Sequence, residues 1–285
     1  MKKTIFKILR ICGYLVGFSL LLYPAVSHYM NQRHNTAIIS DYKKKVSHIS
    51  QKEEDTMIKK ARVYNRTLGG NVDLLDPFGE NKEENKNIAY EQLLKLDDSG
   101  MMGYINIPQI NLTLPMYHGI SEPVLQTGVG HLENTSLPVG GKSSHCVLSG
   151  HRGLPSAKLF TDLDQMKNGD VFYIKILHHT FAYKVDQILT VKPEKTEELQ
   201  IVKGQDYVTL VTCTPYGINT HRILVRGKRI PYTEQGKAAD KESRPSLPLY
   251  AKALIGAVIA VILIYVAVKC IMKRRHRWDN NTGEN

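Results

Sequence analysis

Residues 207–229 read Tyr-Val-Thr-Leu-Val-Thr-Cys-Thr-Pro-Tyr-Gly-Ile-Asn-Thr-His-Arg-Ile-Leu-Val-Arg-Gly-Lys-Arg. Two runs rich in Val, Thr, Ile and Leu flank a Pro/Gly/Asn turn, which is the pattern of a β-hairpin. Cys213 closes the first run, where a thiol can leave a packed sheet for an open mouth, and Arg222 lies in the return strand. With residues 214–219 as the connection, Cys213 faces Thr220 across the ladder, and the period of two puts Arg222 on that same face. A cation then stands near a thiol. A single cysteine at a strand end is nonetheless more often a small buried hydrophobe than a nucleophile, so the remainder of the chain has to decide.

Outward from this hairpin, short β-like runs recur at 101–107, 112–117, 144–148, 170–176 and 179–191, punctuated by Gly, Pro and Asn. That spacing predicts a mainly β domain, a barrel or a sandwich. Residues 157–166 carry Leu159, Phe160, Leu163 and Met166 at helical intervals, and a helical turn is expected near 124–128. Upstream, Ile39, Tyr42, Val46, Ile49, Met57, Ala61, Tyr64 and Leu68 recur mostly at threes and fours, one apolar face of a helical stalk over 31–68. Between 69 and 87 paired glycines, Pro77 and Gly79 mark a long loop, yet Leu74, Leu75 and Phe78 would be poorly placed in water. The loop is expected to dock on something.

The formal net charge of +11 in 285 residues resembles that of a nucleic-acid binder until its distribution is read. Lys2, Lys3, Lys7 and Arg10 precede the uncharged run 11–26, and Lys273, Arg274, Arg275 and Arg277 follow the uncharged run 253–268. Both runs read as membrane segments, the second extending to 249–272 with Lys252 and Lys269 snorkelling. The first has the charged start and apolar centre of a signal peptide but no clear small-x-small site after it, so an uncleaved anchor is expected. The positive-inside rule then puts both termini in the cytoplasm and the intervening domain outside. Nucleic acid is not an expected partner.

Cys12 and Cys270 belong to the membrane segments, which leaves Cys146 and Cys213 outside, either as a disulfide or with Cys213 free. A nucleophilic thiolate needs a base or cation beside it. His151 follows the run Ser-His-Cys-Val-Leu-Ser-Gly at a strand exit, as Cys213 does, whereas His145 lies within that run and reads as structural. A metal site from His145, Cys146 and His151 fits no usual ligand spacing, and none is expected.

At this point the residues match a family. Leu-Val-Thr-Cys-Thr-Pro-Tyr-Gly-Ile-Asn-Thr-His-Arg-Ile-Leu-Val-Arg-Gly (210–227) and Leu-Ser-Gly-His-Arg-Gly-Leu-Pro-Ser-Ala-Lys-Leu-Phe-Thr-Asp-Leu (148–163) closely resemble the sortases, membrane-anchored cysteine transpeptidases of Gram-positive bacteria. Asp76-Pro77-Phe78, the His-Arg-Gly-Leu-Pro continuation and the second span are similar to class C, the pilus-assembling type. The resemblance implies a closed β-barrel with short helices, an N-terminal helical segment and a lid loop, flanked by two transmembrane helices. It implies Cys213 as nucleophile, His151 as general acid/base, Arg222 as the cation steadying substrate or oxyanion, and Asp76, Pro77 and Phe78 as a lid over them. The implied reaction cleaves a Leu-Pro-x-Thr-Gly-like signal between Thr and Gly through a thioester, which a lysine amine on the next pilin resolves as an isopeptide bond. The implied partners are pilins or surface proteins bearing that signal, with no cofactor. Alternative readings are a sortase that anchors proteins to peptidoglycan, or a secreted cysteine protease. The expected organisation is tail and anchor over 1–30, stalk 31–68, lid and connection 69–97, catalytic barrel 98–235, linker 236–248, second span 249–272 and basic tail 273–285.

Overall fold

The structure, a computed structural model, describes residues 2–68, 78 and 88–282. The chain divides into two compact units, residues 30–245 and, from its two ends, residues 1–29 with 246–285. In the first of these, eight strands close into a barrel: β1 (Met101–Ile107), β2 (Leu112–His118), β3 (Val129–His131), β4 (Ser144–Ser149), β5 (Val171–Ile176), β6 (His179–Val191), β7 (Asp206–Thr214) and β8 (His221–Ile230). Their order around the barrel is β1-β2-β3-β4-β7-β8-β6-β5. Closure leaves no free sheet edge, and of the two expected architectures, barrel or sandwich, the chain forms the barrel.

Two pairings are parallel, β2 with β3 and β4 with β7, and the rest are antiparallel. The parallel β4–β7 pair sets the position of two candidate side chains. Its register runs from Ser144 opposite Asp206 to Ser149 opposite Val211, so both strands deliver their carboxyl ends to the same end of the barrel. β8 starts there, because it returns antiparallel to β7.

Helix α1 (Lys2–Val46) and helix α2 (Gln51–Thr67) form the helical region expected before the loop, with a break between them. The break has a local cause: Ser50 caps α2 and Glu53 reaches back to the Ser50 amide, a capping box that starts a new helix. Ile39, Tyr42, Val46, Ile58 and Ala61 are buried in the same apolar core as the barrel strands. Each large side chain of this kind contributes about 1.5–3 kcal/mol when fully buried. Polar contacts fix where the helices rest. Tyr42 Oη donates to the Met102 carbonyl at 3.0 Å and accepts from the Leu177 amide at 2.9 Å. Asn65 closes a two-bond bridge with the backbone of Leu137.

Short helices α3 (Ile88–Glu91), α4 (Glu122–Thr127) and α5 (Glu234–Ala239) complete this unit. After α5, the chain is pinned to the barrel wall. The carboxylate of Asp240 accepts from Asn106 and Tyr232 and pairs with Lys175 at 2.9 Å. Glu242 meets Lys43 at 2.7 Å and Tyr104 at 3.0 Å. Burial by itself pushes the Glu242 carboxyl up, but the Lys43 hydrogen bond and the charges of Lys175 and Lys43 outweigh it and hold its pKa below the ordinary value.

In the other unit, helix α6 (Leu249–Thr282) contains Leu249–Met272, with a mean hydropathy of 2.7. Among the described residues it is the one helix long and apolar enough to cross a membrane.

Three local expectations need correction. Strand β3 is absent from the expected set, being three residues with little β-branched content. Residues 157–166 are not a helix: they form successive turns and one 3-10 helix, Leu163–Gln165, with Leu159 at φ 39°. The apolar spacing there reflects burial of Leu159, Phe160, Leu163 and Met166 against the core instead. The β7–β8 register is also displaced from the one expected.

Candidate active site

Cys213 pairs with Arg222, and Thr214 pairs with His221. The connection is therefore 215–220 rather than 214–219, and Cys213 faces Arg222 itself instead of Thr220. The turn chemistry accounts for the displacement. Asn219 takes a left-handed φ of 61°, and the amides of Ile218 and Asn219 both donate to the Pro215 carbonyl. Opposite residues share a face of the sheet, so the thiol and the guanidinium project together. Both side chains are largely buried, at 6% and 7% relative exposure. Arg222 Nη1 donates to the carbonyls of Asn219 at 2.9 Å and His221 at 3.1 Å, which fixes the head group at the strand end.

His151 arrives from the neighbouring strand. β4 ends at Ser149, the Gly150 amide donates to Val211 on β7, and the Gly150 carbonyl accepts from Thr212 Oγ1 at 2.7 Å. A side chain at 150 is ruled out, because a Cβ there would lie 2.8 Å from the Phe160 ring. The backbone thus carries His151 out of the barrel beside the end of β7, one strand from Cys213. Arg152 then ties the loop down: Nη1 donates to Thr214 Oγ1 at 3.0 Å, and Nη2 pairs with Asp164. Gly153, at φ +82°, lies under the Tyr216 ring, where a Cβ would come within 2.8 Å. His151 Nε2 lies 3.3 and 3.4 Å from the two carboxylate oxygens of Glu122, at the start of α4.

Phe78 closes the group. Its ring stands 5.6 Å from the His151 ring at a tilt of 37°, and the Arg222 guanidinium carbon lies 5.2 Å from its centroid. The first contact is an offset ring pair and the second a cation–π contact. Phe78 also packs against a small apolar cluster containing Leu132, Val147, Val211 and Leu224. An apolar ring therefore contacts both the imidazole and the guanidinium. Leu74, Leu75, Asp76 and Pro77 lie outside the described residues.

Of the sequence-derived candidates, Cys213, His151, Arg222 and Phe78 meet at one barrel end. Cys146 does not join them. It lies opposite Val208, five residues before Cys213 on β7, or about 16 Å at a strand's rise per residue. That separation excludes a Cys146–Cys213 disulfide, and neither cysteine is bridged. Burial pushes the Cys146 thiol well above its ordinary pKa, with the Asp206 carboxylate adding to the effect. His145 is equally enclosed: its two nitrogens meet the Gln200 carbonyl at 2.8 Å and Thr209 Oγ1 at 2.7 Å, and desolvation lowers its pKa to about 4. Its reading as a structural histidine agrees with this setting. Glu122 escapes sequence reasoning, since an acid at the start of a six-residue helix carries no signal that aims it at a histidine 29 positions away. A groove of about 550 Å³ borders α4, lined by Ile38, Tyr42, Tyr117 and Val124 among others, and includes none of the four candidates. Among the described residues no cluster of His, Cys, Asp and Glu is arranged to hold a metal ion.

Comparison with known proteins places this arrangement. A family profile described as "Sortase domain" matches residues 105–230, which include His151, Cys213 and Arg222. The crystal structure of sortase C1 from Streptococcus agalactiae is 51% identical, with a TM-score of 0.63, and covers 68% of this chain and 98% of its own. Sortase C from Streptococcus pneumoniae is 47% identical, also with a TM-score of 0.63, over 69% of this chain and 98% of its own. The chain belongs to the sortase family. Sortase A of Bacillus anthracis is a more distant relative, 31% identical over 132 residues, and the match spans 46% of this chain and 61% of that protein. The more similar solved structures are thus sortases of class C.

Proposed function

We propose that the chain is a membrane-anchored cysteine transpeptidase that joins pilin subunits, with Cys213 as nucleophile, His151 as general acid/base and Arg222 as the cation at the developing oxyanion. The observation that carries this reading is the pairing of Cys213 with Arg222 on adjacent strands, with His151 delivered to the same barrel end. A cation opposite a thiol favours the thiolate. In the first half-reaction the Cys213 sulfur attacks the Thr carbonyl of a Leu-Pro-x-Thr-Gly-like signal, the Thr–Gly C–N bond breaks, and His151 gives its proton to the departing amine. In the second, a lysine Nζ attacks the thioester, the C–S bond breaks, and the amine's proton passes back to His151. Splitting one amide exchange into two acyl transfers requires no energy source, but it does require that the thioester be shielded from water.

Phe78 fits that requirement, and with Asp76 and Pro77 it is read as the tip of a lid over the site. The pilin reading is supported by the similarity to the Streptococcus pneumoniae sortase C, whose structure is described as bearing on pilin substrate specificity. The proposed topology has two spans, 11–26 and 249–272, both termini cytoplasmic and the catalytic barrel outside. The divisions at 30, 68, 97, 235, 248 and 272 belong to the same proposal. Confinement of enzyme and pilins to one bilayer raises their effective concentration.

The test is mass spectrometry of the full chain, in detergent, with a Leu-Pro-x-Thr-Gly peptide in the presence and absence of a lysine-bearing peptide. A thioester on Cys213 that converts to a ligated peptide is the expected result. Release of free acid alone, amine or no amine, points to a protease. Absence of the thioester from both wild type and Phe78→Ala overturns the mechanism.

A further inference from the structure

We infer that Glu122 is the positioning residue for His151, holding the imidazole in one orientation for proton delivery. This inference rests on the proposed role of His151. Both oxygens of the Glu122 carboxylate approach the same ring nitrogen, Nε2, at 3.3 and 3.4 Å. A carboxylate set against one imidazole nitrogen fixes the ring's orientation and assigns that nitrogen a proton, which leaves Nδ1 to exchange a proton with the reacting groups. The carboxylate is itself steered. Ser121 precedes α4 in extended conformation, Pro123 fixes the first turn, and Gln126 Nε2 donates to Glu122 Oε1 at 3.2 Å.

Other ionisable groups lie at the same barrel end: the Cys213 thiol, Arg152 with Asp164, and Arg222. Arg152 follows in the chain and is tied to Asp164, and Arg222 stands over the Phe78 ring. Glu122 is about three-fifths exposed, with a side-chain relative exposure of 59% against 20% for His151. Water therefore screens the pair and the effect is modest.

The experiment is ¹³C NMR relaxation of the His151 ring in the full chain in detergent, with the signal assigned through its loss in His151→Asn. The ring should be held in one orientation in the wild type and reorient freely in Glu122→Ala, with Glu122→Asp recovering part of the order. Transpeptidation by Glu122→Ala should lose about threefold in kcat with KM little changed, as expected for a group that acts through another. A folded Glu122→Ala whose His151 ring is as ordered as in the wild type overturns the inference. Should that variant not fold, the wild type decides: an ordered ring supports the pair, and a freely reorienting one contradicts it. The relaxation measurement needs no turnover, so a wild type that never forms a thioester would overturn the proposed reaction without deciding the Glu122–His151 contact.

Discussion

The two ends of the β4–β7 pair carry the same residue types and treat them in opposite ways. At the start of β4, His145 and Cys146 are sealed in the barrel, the imidazole held by Gln200 and Thr209 and the thiol held protonated by burial. At the far end, His151 and Cys213 stand where strands become loops, with Arg222 opposite the thiol and Glu122 against the imidazole. Residue identity does not separate these sites. What separates them is the company of a cation, an acid and an apolar cover at the mouth, against full enclosure in the wall.

The largest effect should come from exchanging the two thiols. Cys213→Ala is expected to reduce transpeptidation by at least about 10³-fold, as removal of a covalent nucleophile does. Cys146→Ala should change the rate less than threefold and cost about 1–2 kcal/mol of stability through a small cavity. Peptide ligation rates and denaturant midpoints measure the two. Next, Arg222→Gln removes the charge opposite Cys213 and should lower kcat by about 10²-fold, with Arg222→Lys recovering only part because a point charge does not reproduce the guanidinium fork.

The buried end should reveal itself through pH. The folded pKa of His145, about 4, lies below the unfolded value near 6.5, so the unfolded chain binds the extra proton between them. Its contribution is present in full above pH 6.5 and is lost as pH falls toward 4, about 3 kcal/mol in all. His131, buried beneath Tyr90 and lowered by desolvation to about 3, acts in the same direction. Stability measured by denaturant at pH 7.5 and 4.5 should therefore fall less in His145→Gln than in the wild type. The smallest effect belongs to the cover: Phe78→Ala should raise the alkylation rate of Cys213 severalfold while leaving that of Cys146 unchanged.

Much of this contrast is legible in the sequence, for physical reasons. Short β-rich runs punctuated by Gly, Pro and Asn locate every strand but β3, which is only three residues long. The Gly-flanked His151 and the hairpin cysteine mark strand exits, and the apolar words at 74–78 call for a docking surface, which Phe78 has. The register error at 213–222 has a specific source. Loop residues of this composition do not reveal where pairing stops, and here Thr214 remains in the ladder while Thr220 leaves it. Spacing over 157–166 reports burial correctly and conformation wrongly, because turns can bury the same residues that a helix would. Glu122 is invisible to such reading, since its partner lies in the loop after β4, which meets it only in three dimensions.

The most direct test of the contrast is competitive labelling of both thiols in the folded full chain. A small alkylating reagent is added at pH 7, and Cys146 and Cys213 are followed separately by peptide mapping. Cys213 should be modified first, at a rate that falls when Arg222 is replaced by Gln, with Cys146 reacting only after denaturation. Equal rates at the two cysteines, or faster modification of Cys146, would contradict the account.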